Sequence, residues 1–323
     1  MALILINLME YNMNHINKYL MILFLSAITF GNLDAKVKVV ATLPNFASIA
    51  KELGGDKVDV TVIAKGYQDP HFVDPKPSFI VKMRKADILI WAGLDLEVGW
   101  LPPLLENSRN SKILWGAPGN VDASRGVPLL EVPNIPAAQL RAGGDIHIYG
   151  NPHYWMDPYN AKIIAENITD AFIEASPSDK DYFKNRKNDF ITKLEAKIIK
   201  WEELMKPYAG RKIIAYHNSW PYLEARFGFE IAGFIEPKPG IPPSPRHLVK
   251  LIKQIRNDEI RVIIVSPYFN AKPANVISDK IGGRVVKMAP SVGAFDEVQD
   301  YFDLFDYNLK NLKEAFKWED SID

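Results

Sequence analysis

Short, apolar, β-branched runs alternate with helical stretches along most of this 323-residue chain, and the alternation occurs twice. In the first half VKVVATL (37–43), VDVTVIA (58–64), DILIWAG (87–93) and KILWG (112–116) read as strands, with helical patterns at 45–53, 77–85, 97–108 and 158–174. In the second half KIIAYH (212–217), FEIAGFI (229–235), RVIIVS (261–266) and RVVKMA (284–289) read as strands, with helices at 219–227, 244–256, 271–281 and 297–316. Strands this short and this apolar, separated by helices, predict parallel sheets covered on both faces. Between the halves, Tyr182, Phe183, Phe190, Ile191, Leu194, Ile198, Ile199, Trp201 and Leu204 are apolar, many of them three or four residues apart with charges between, and Pro207 and Gly210 close the pattern. Gly and Ser are almost absent there, so residues 179–206 predict one long helix and not a flexible linker. The chain therefore reads as α/β: two Rossmann-like lobes with parallel sheets, joined by one long bridging helix.

The N-terminus implies a compartment. A polar stretch with Lys18 precedes ten apolar residues, Met21–Phe30, and GNLDA ends at Ala35. That order is the order of a secretory signal peptide, and ten apolar residues are too few to span a bilayer as a helix. The expected organisation is a leader at 1–35, an N-terminal lobe at 36–176, a linking helix at 177–206 and a C-terminal lobe at 207–323. The expected product is exported, periplasmic and monomeric. The 39 basic and 39 acidic residues cancel, so composition gives no reason to expect a nucleic-acid partner. With no cysteine, disulfides and thiolate metal sites are excluded, leaving histidine, carboxylate and water as the metal ligands available.

The chain has six histidines, and two stand in similar phrases: QDPHFVDPKPS around His71 and GNPHYWMDP around His153. A proline precedes each and restricts the backbone there. His71 lies in the loop after the strand at 58–64, and His217 ends the strand at 212–217. Glu236 follows the strand at 229–235 in the same way. Ligands of open α/β sheets gather beyond the carboxyl ends of strands, so histidines on facing strand ends of two lobes describe a cleft with a metal in it. No HExxH or EF-hand pattern is present, and the wide separations form no local metal motif. Asp74 is a candidate acceptor holding His71, and Asp157 a candidate helix cap or a partner of His153. His147, in a proline-rich stretch, and His247, at the start of a helix, read as bland, and His15 as lost with the leader.

In combination, VVATLPNFASIAKELGG, DPHFVDPKPS, ADILIWAGLDLEVGW, NPHYWMDPYNAKIIAENI, KIIAYHNSWPYLEARFGF and YFDLFDYNLKNL resemble the zinc or manganese substrate-binding proteins of bacterial ABC transporters, the ZnuA- and TroA-like group. The resemblance covers nearly all of the chain after the leader. It implies two α/β lobes with metal held between them, ligands at His71, His153 and His217, no enzymatic activity, and a membrane permease with a cytoplasmic ATPase as partners. A histidine at the third ligand position favours Zn²⁺, with Mn²⁺ as the alternative. Many members place an aspartate after the last strand, where this chain has Ala289. The fourth ligand is then water or Glu236, with Asp296 or Glu297 as further candidates. The competing functions are a binding protein for an iron chelate and a zinc hydrolase with Glu236 as base.

Overall fold

The computed structural model describes residues 35–134, 147–238 and 240–322, and the leader and His15 lie outside them. The N-terminal sheet contains β1 (Val37–Ala41), β2 (Val58–Val62), β3 (Ile88–Trp91) and β4 (Asn120–Asp122) in the order β2-β1-β3-β4. The C-terminal sheet contains β5 (Lys212–Ala215), β6 (Glu230–Phe234), β7 (Val262–Val265) and β8 (Arg284–Lys287) in the order β6-β5-β7-β8. Every pairing is parallel. The two orders are the same, so each sheet reverses its direction of winding beside its first strand. That reversal opens a crevice at the strand ends of each lobe.

The helices are α1 (Pro44–Gly54), α2 (Pro77–Arg84), α3 (Leu101–Ser108), α4 (Asn160–Ala175), α5 (Lys180–Met205), α6 (Pro221–Phe227), α7 (Pro245–Asn257), α8 (Lys272–Ile281) and α9 (Tyr301–Asp320). Proline stands in the first turn of α1, α2, α3, α6, α7 and α8. There its missing N–H costs no hydrogen bond and its fixed φ suits a helix start. The start of α9 is built differently, by a capping box between Asp300 and Asp303.

The long helix α5 has 26 residues and spans about 39 Å. It buries Phe183, Phe190, Leu194, Ile198, Trp201 and Met205. Phe190 meets Phe302 of α9 at 5.5 Å between ring centroids, and Trp201 meets Phe305 at 4.8 Å. Trp201 Nε1 also donates to Asp306 Oδ1 at 2.7 Å. A buried side chain of this size contributes about 1.5–3 kcal/mol, so α5 is fixed to α9 from Phe190 to Trp201, while Phe183 packs on Phe172 of α4. One hydrophobic core runs from the N-terminal sheet through α5 and α9 into the C-terminal lobe. A large apolar interface of this kind opposes free motion between lobes.

One strand differs from the sequence reading. KILWG at 112–116 forms turns, and β4 lies at 120–122 instead. Ile113 is buried as a single anchor, whereas Trp115 is nearly half exposed. The chain then turns through Pro118 and Gly119 to enter the sheet. A Cβ at Gly119 would lie 2.2 Å from the Asp87 carbonyl oxygen, so only glycine allows this close crossing. The apolar run thus records burial of one residue, which β-propensity cannot tell from pairing.

Candidate metal centre

Two short turns place His71 and His153 by the same device. Asp69 Oδ1 accepts the backbone N–H of His71 at 3.0 Å and lies 2.8 Å from its Nδ1. Asn151 Oδ1 accepts the backbone N–H of His153 at 3.0 Å and lies 2.9 Å from its Nδ1. The pattern in each is an Asp or Asn, a proline, then the histidine. The side chain two residues back fixes both the backbone and the ring, while proline restricts the residue between them. His217 follows β5 directly, and its Nδ1 lies 2.6 Å from Glu236 Oε2. Glu236 is brought there by the extension of the β5–β6 pairing, in which its N–H donates to the Tyr216 carbonyl at 2.9 Å.

Each of the three imidazoles therefore gives Nδ1 to an oxygen acceptor. An acceptor on Nδ1 sets the proton there and leaves Nε2 with a bare lone pair. The three residues can each offer a ligand atom such that all lie within 4.8 Å of one another. Ring centroids are 5.3 Å apart for His71 and His153, 5.7 Å for His71 and His217, and 5.9 Å for His153 and His217. The three residues are 7%, 2% and 7% exposed in sequence order, so the set is inside the protein. His153 Nε2 is buried with no hydrogen-bond partner, which is costly for a polar atom unless something else occupies its lone pair. Burial, together with the neighbouring His71, His217 and His147, holds His153 well below the usual histidine range. Asp69, though burial pushes it up, is held below the usual carboxylate range by its hydrogen bonds to His71. The arrangement is three rings facing a shared point, with carboxylates behind two of them.

The remaining candidates fall elsewhere. Asp74 is exposed and is replaced as the acceptor on His71 by Asp69, which the turn geometry favours because it is two residues back. Asp157 accepts from the Tyr159 N–H at 2.9 Å and forms a two-pronged ion pair with Arg226 of α6, at 2.9 Å for each contact. It thus shapes the entry to α4 and joins the lobes, and it does not hold His153. Asp296 and Glu297 are exposed. Ala289 is buried, and Asn308 holds its backbone through both N–H and carbonyl at 2.7 and 2.8 Å. His247 directs Nε2 at the Phe234 carbonyl, 3.0 Å away. Glu236 stands on the outer nitrogen of His217.

His147 is the residue that the sequence reading passed over. Its Nε2 lies 3.1 Å from His71 Nε2, with the two rings 5.2 Å apart. Burial, then the neighbouring His71 and His217, push it down to about 3. Its position six residues before His153 was the available signal.

The protein matches the family described as zinc-uptake complex component A, periplasmic, over residues 39–315. It is 26% identical to the manganese ABC transporter substrate-binding lipoprotein PsaA of Streptococcus anginosus, over 92% of this chain and 97% of that protein. It is 25% identical to the high-affinity zinc uptake system protein ZnuA of Bacillus subtilis, over 89% and 91% of the two chains. It is 27% identical to the iron-binding protein YfeA of Yersinia pestis, over 87% and 86%. A crystal structure of ZnuA shares the fold at a TM-score of 0.74 and 24% identity, covering 87% of this chain and 99% of that one. The full-length match, the paired parallel lobes and the buried histidine set agree: the chain belongs to the ZnuA family of metal ABC transporter substrate-binding proteins, which are binding proteins and not enzymes.

Proposed function

We propose that this protein captures a single Zn²⁺ ion outside the cytoplasm and delivers it to a membrane permease driven by a cytoplasmic ATPase. The observation that carries this reading is the convergence of His71, His153 and His217 with Nδ1 engaged on each. Neutral imidazole suits zinc, whereas manganese prefers oxygen ligands. The close group contains no carboxylate among the described residues, which supports zinc over manganese in this reading. Relatives named for manganese and for iron make those metals the readings to test against.

Two other readings fit less well. A chelate-sized ligand needs a pocket of several hundred Å³. The crevice at His153, lined also by Trp155 and Tyr268, has room for about one water. A hydrolase would need a general base facing a metal-bound water, and Glu236 is engaged with the far side of His217.

Export through the segment at 1–35, the lobe limits at 36–176 and 207–323, and a monomeric state belong to the same proposal. No described helix is long and apolar enough to cross a membrane. The test of the metal is direct competition: metal-free protein is titrated with zinc in the presence of excess manganese, and the bound metal is measured by elemental analysis. Zinc retained against manganese supports the reading, and manganese retained against zinc would replace it.

A further inference from the structure

We infer that His147 is a fourth metal ligand, which makes this a site of four neutral imidazoles with its carboxylates confined to the outside. This inference rests on the metal-capture reading above and specifies its ligand set.

The geometry supports it. Asp69 stands 2.8 Å from His71 Nδ1, which leaves Nε2 as the nitrogen of that ring directed at the shared point. His147 turns its own Nε2 toward that atom, 3.1 Å away, with the two rings 5.2 Å apart. Two nitrogens bound to one tetrahedral zinc at about 2.0–2.1 Å are about 3.3 Å apart, close to the spacing seen. His147 adjoins the other three residues through His71 and is not one of the mutually closest set.

The backbone after this residue is fixed by the turn that leads to His153. Gly150 takes φ 115°, and Asn151 N–H donates to the Leu130 carbonyl at 2.9 Å. A Cβ at Gly150 would lie 2.9 Å from that same carbonyl oxygen. Glu131 Oε2 accepts from Asn151 Nδ2 at 2.9 Å and from Asn218 Nδ2 at 2.7 Å. One carboxylate thus ties the turns bearing His153 and His217 together.

A site of this composition commits to a metal of the zinc type. Four imidazoles without a directly bound carboxylate disfavour manganese more strongly than three imidazoles and a water. His147→Ala should weaken Zn²⁺ binding about tenfold or more, by about 1.4 kcal/mol at the least. Because the lost ligand is a nitrogen, Mn²⁺ binding should change much less. X-ray absorption at the zinc edge of the unmodified protein gives a second reading that needs no variant: scattering from four imidazoles is expected. Unchanged zinc affinity in a folded His147→Ala protein, or three imidazoles and an oxygen in the absorption spectrum, would overturn the inference while leaving the three-histidine site intact. Failure of the unmodified protein to bind zinc would remove both.

Discussion

Asp69 and Asn151 perform one task with two chemistries, and this allows a sharp test. Asp69→Ala removes the acceptor of two hydrogen bonds, from the His71 backbone at 3.0 Å and at Nδ1 at 2.8 Å. Each contributes about 0.5–1.5 kcal/mol net. The freed ring must also be immobilised when metal arrives, at about 0.5–1.5 kcal/mol. The part of this that falls on metal binding is about 1.4–2.8 kcal/mol, a loss of about 10–100-fold in affinity, as found for outer partners of metal-bound histidines. Asp69→Asn keeps an oxygen in the same place. Asn151 already holds His153 through Oδ1 at 3.0 and 2.9 Å, so an amide is sufficient for the geometry. The asparagine variant should therefore lose less than about tenfold. Zinc affinity is measured at neutral pH by competition with a chromophoric chelator, alongside thermal unfolding of the metal-free proteins. Equal losses in the two variants would show that charge, and not placement of the ring, is what Asp69 supplies. No loss in Asp69→Ala would refute the positioning role.

Three further outcomes follow from the fold and its buried charges. Trp201→Ala removes a side chain that is 2% exposed and packed on Phe305, and should destabilise the protein by about 3–5 kcal/mol in denaturant unfolding, with little change in zinc affinity once folded. Burial lifts Glu97 to about 7 despite hydrogen bonds from the Ala92 N–H and the Thr42 hydroxyl, each at 2.7 Å. Between about 4.5, where the unfolded chain ionises, and about 7, the folded state retains a proton that the unfolded state has lost, so stability falls as pH rises through that window, by about 3 kcal/mol in total. Glu97→Gln removes this dependence, and an identical pH–stability curve for the variant and the parent would count against it. His147 and His153 act with the opposite sign: both are held below the usual histidine value, so the stability they allow is present above about 6.5 and is lost as pH falls below it. Chemical unfolding of the metal-free protein at neutral and mildly acid pH should show that loss, and a flat response would contradict the assignment.

Most of the architecture was legible because it follows from periodicity. The apolar strand runs, the helical spacing of Phe190, Leu194, Ile198 and Trp201, and the prolines at helix starts are local signals, and the structure uses them directly. KILWG was misplaced because a single buried Ile113 gives the same apolar run as a strand. At the candidate metal centre, His71 and His217 stood out by their positions after strands, and the set of three with His153 came from the family resemblance. What holds them was not found, although Asp69 and Asn151 stand inside the two phrases first noticed. Attention to proline hid the residue before it, whose short side chain reaches forward two residues. Asp74 was named in its place on proximity alone. His147 was set aside because a lone histidine in a proline-rich stretch has no periodic signature. Its approach to His71 is a contact between residues 76 apart that no linear spacing encodes.

The central claim is that one zinc ion is held by the converging rings of His71, His153 and His217. Its most direct test is calorimetric titration of metal-free protein with zinc, compared with a variant in which all three are alanine and whose folding is checked by circular dichroism. A single tight equivalent in the parent and none in the folded triple variant is the predicted result. Equal binding in the two proteins, or none in either, would contradict it.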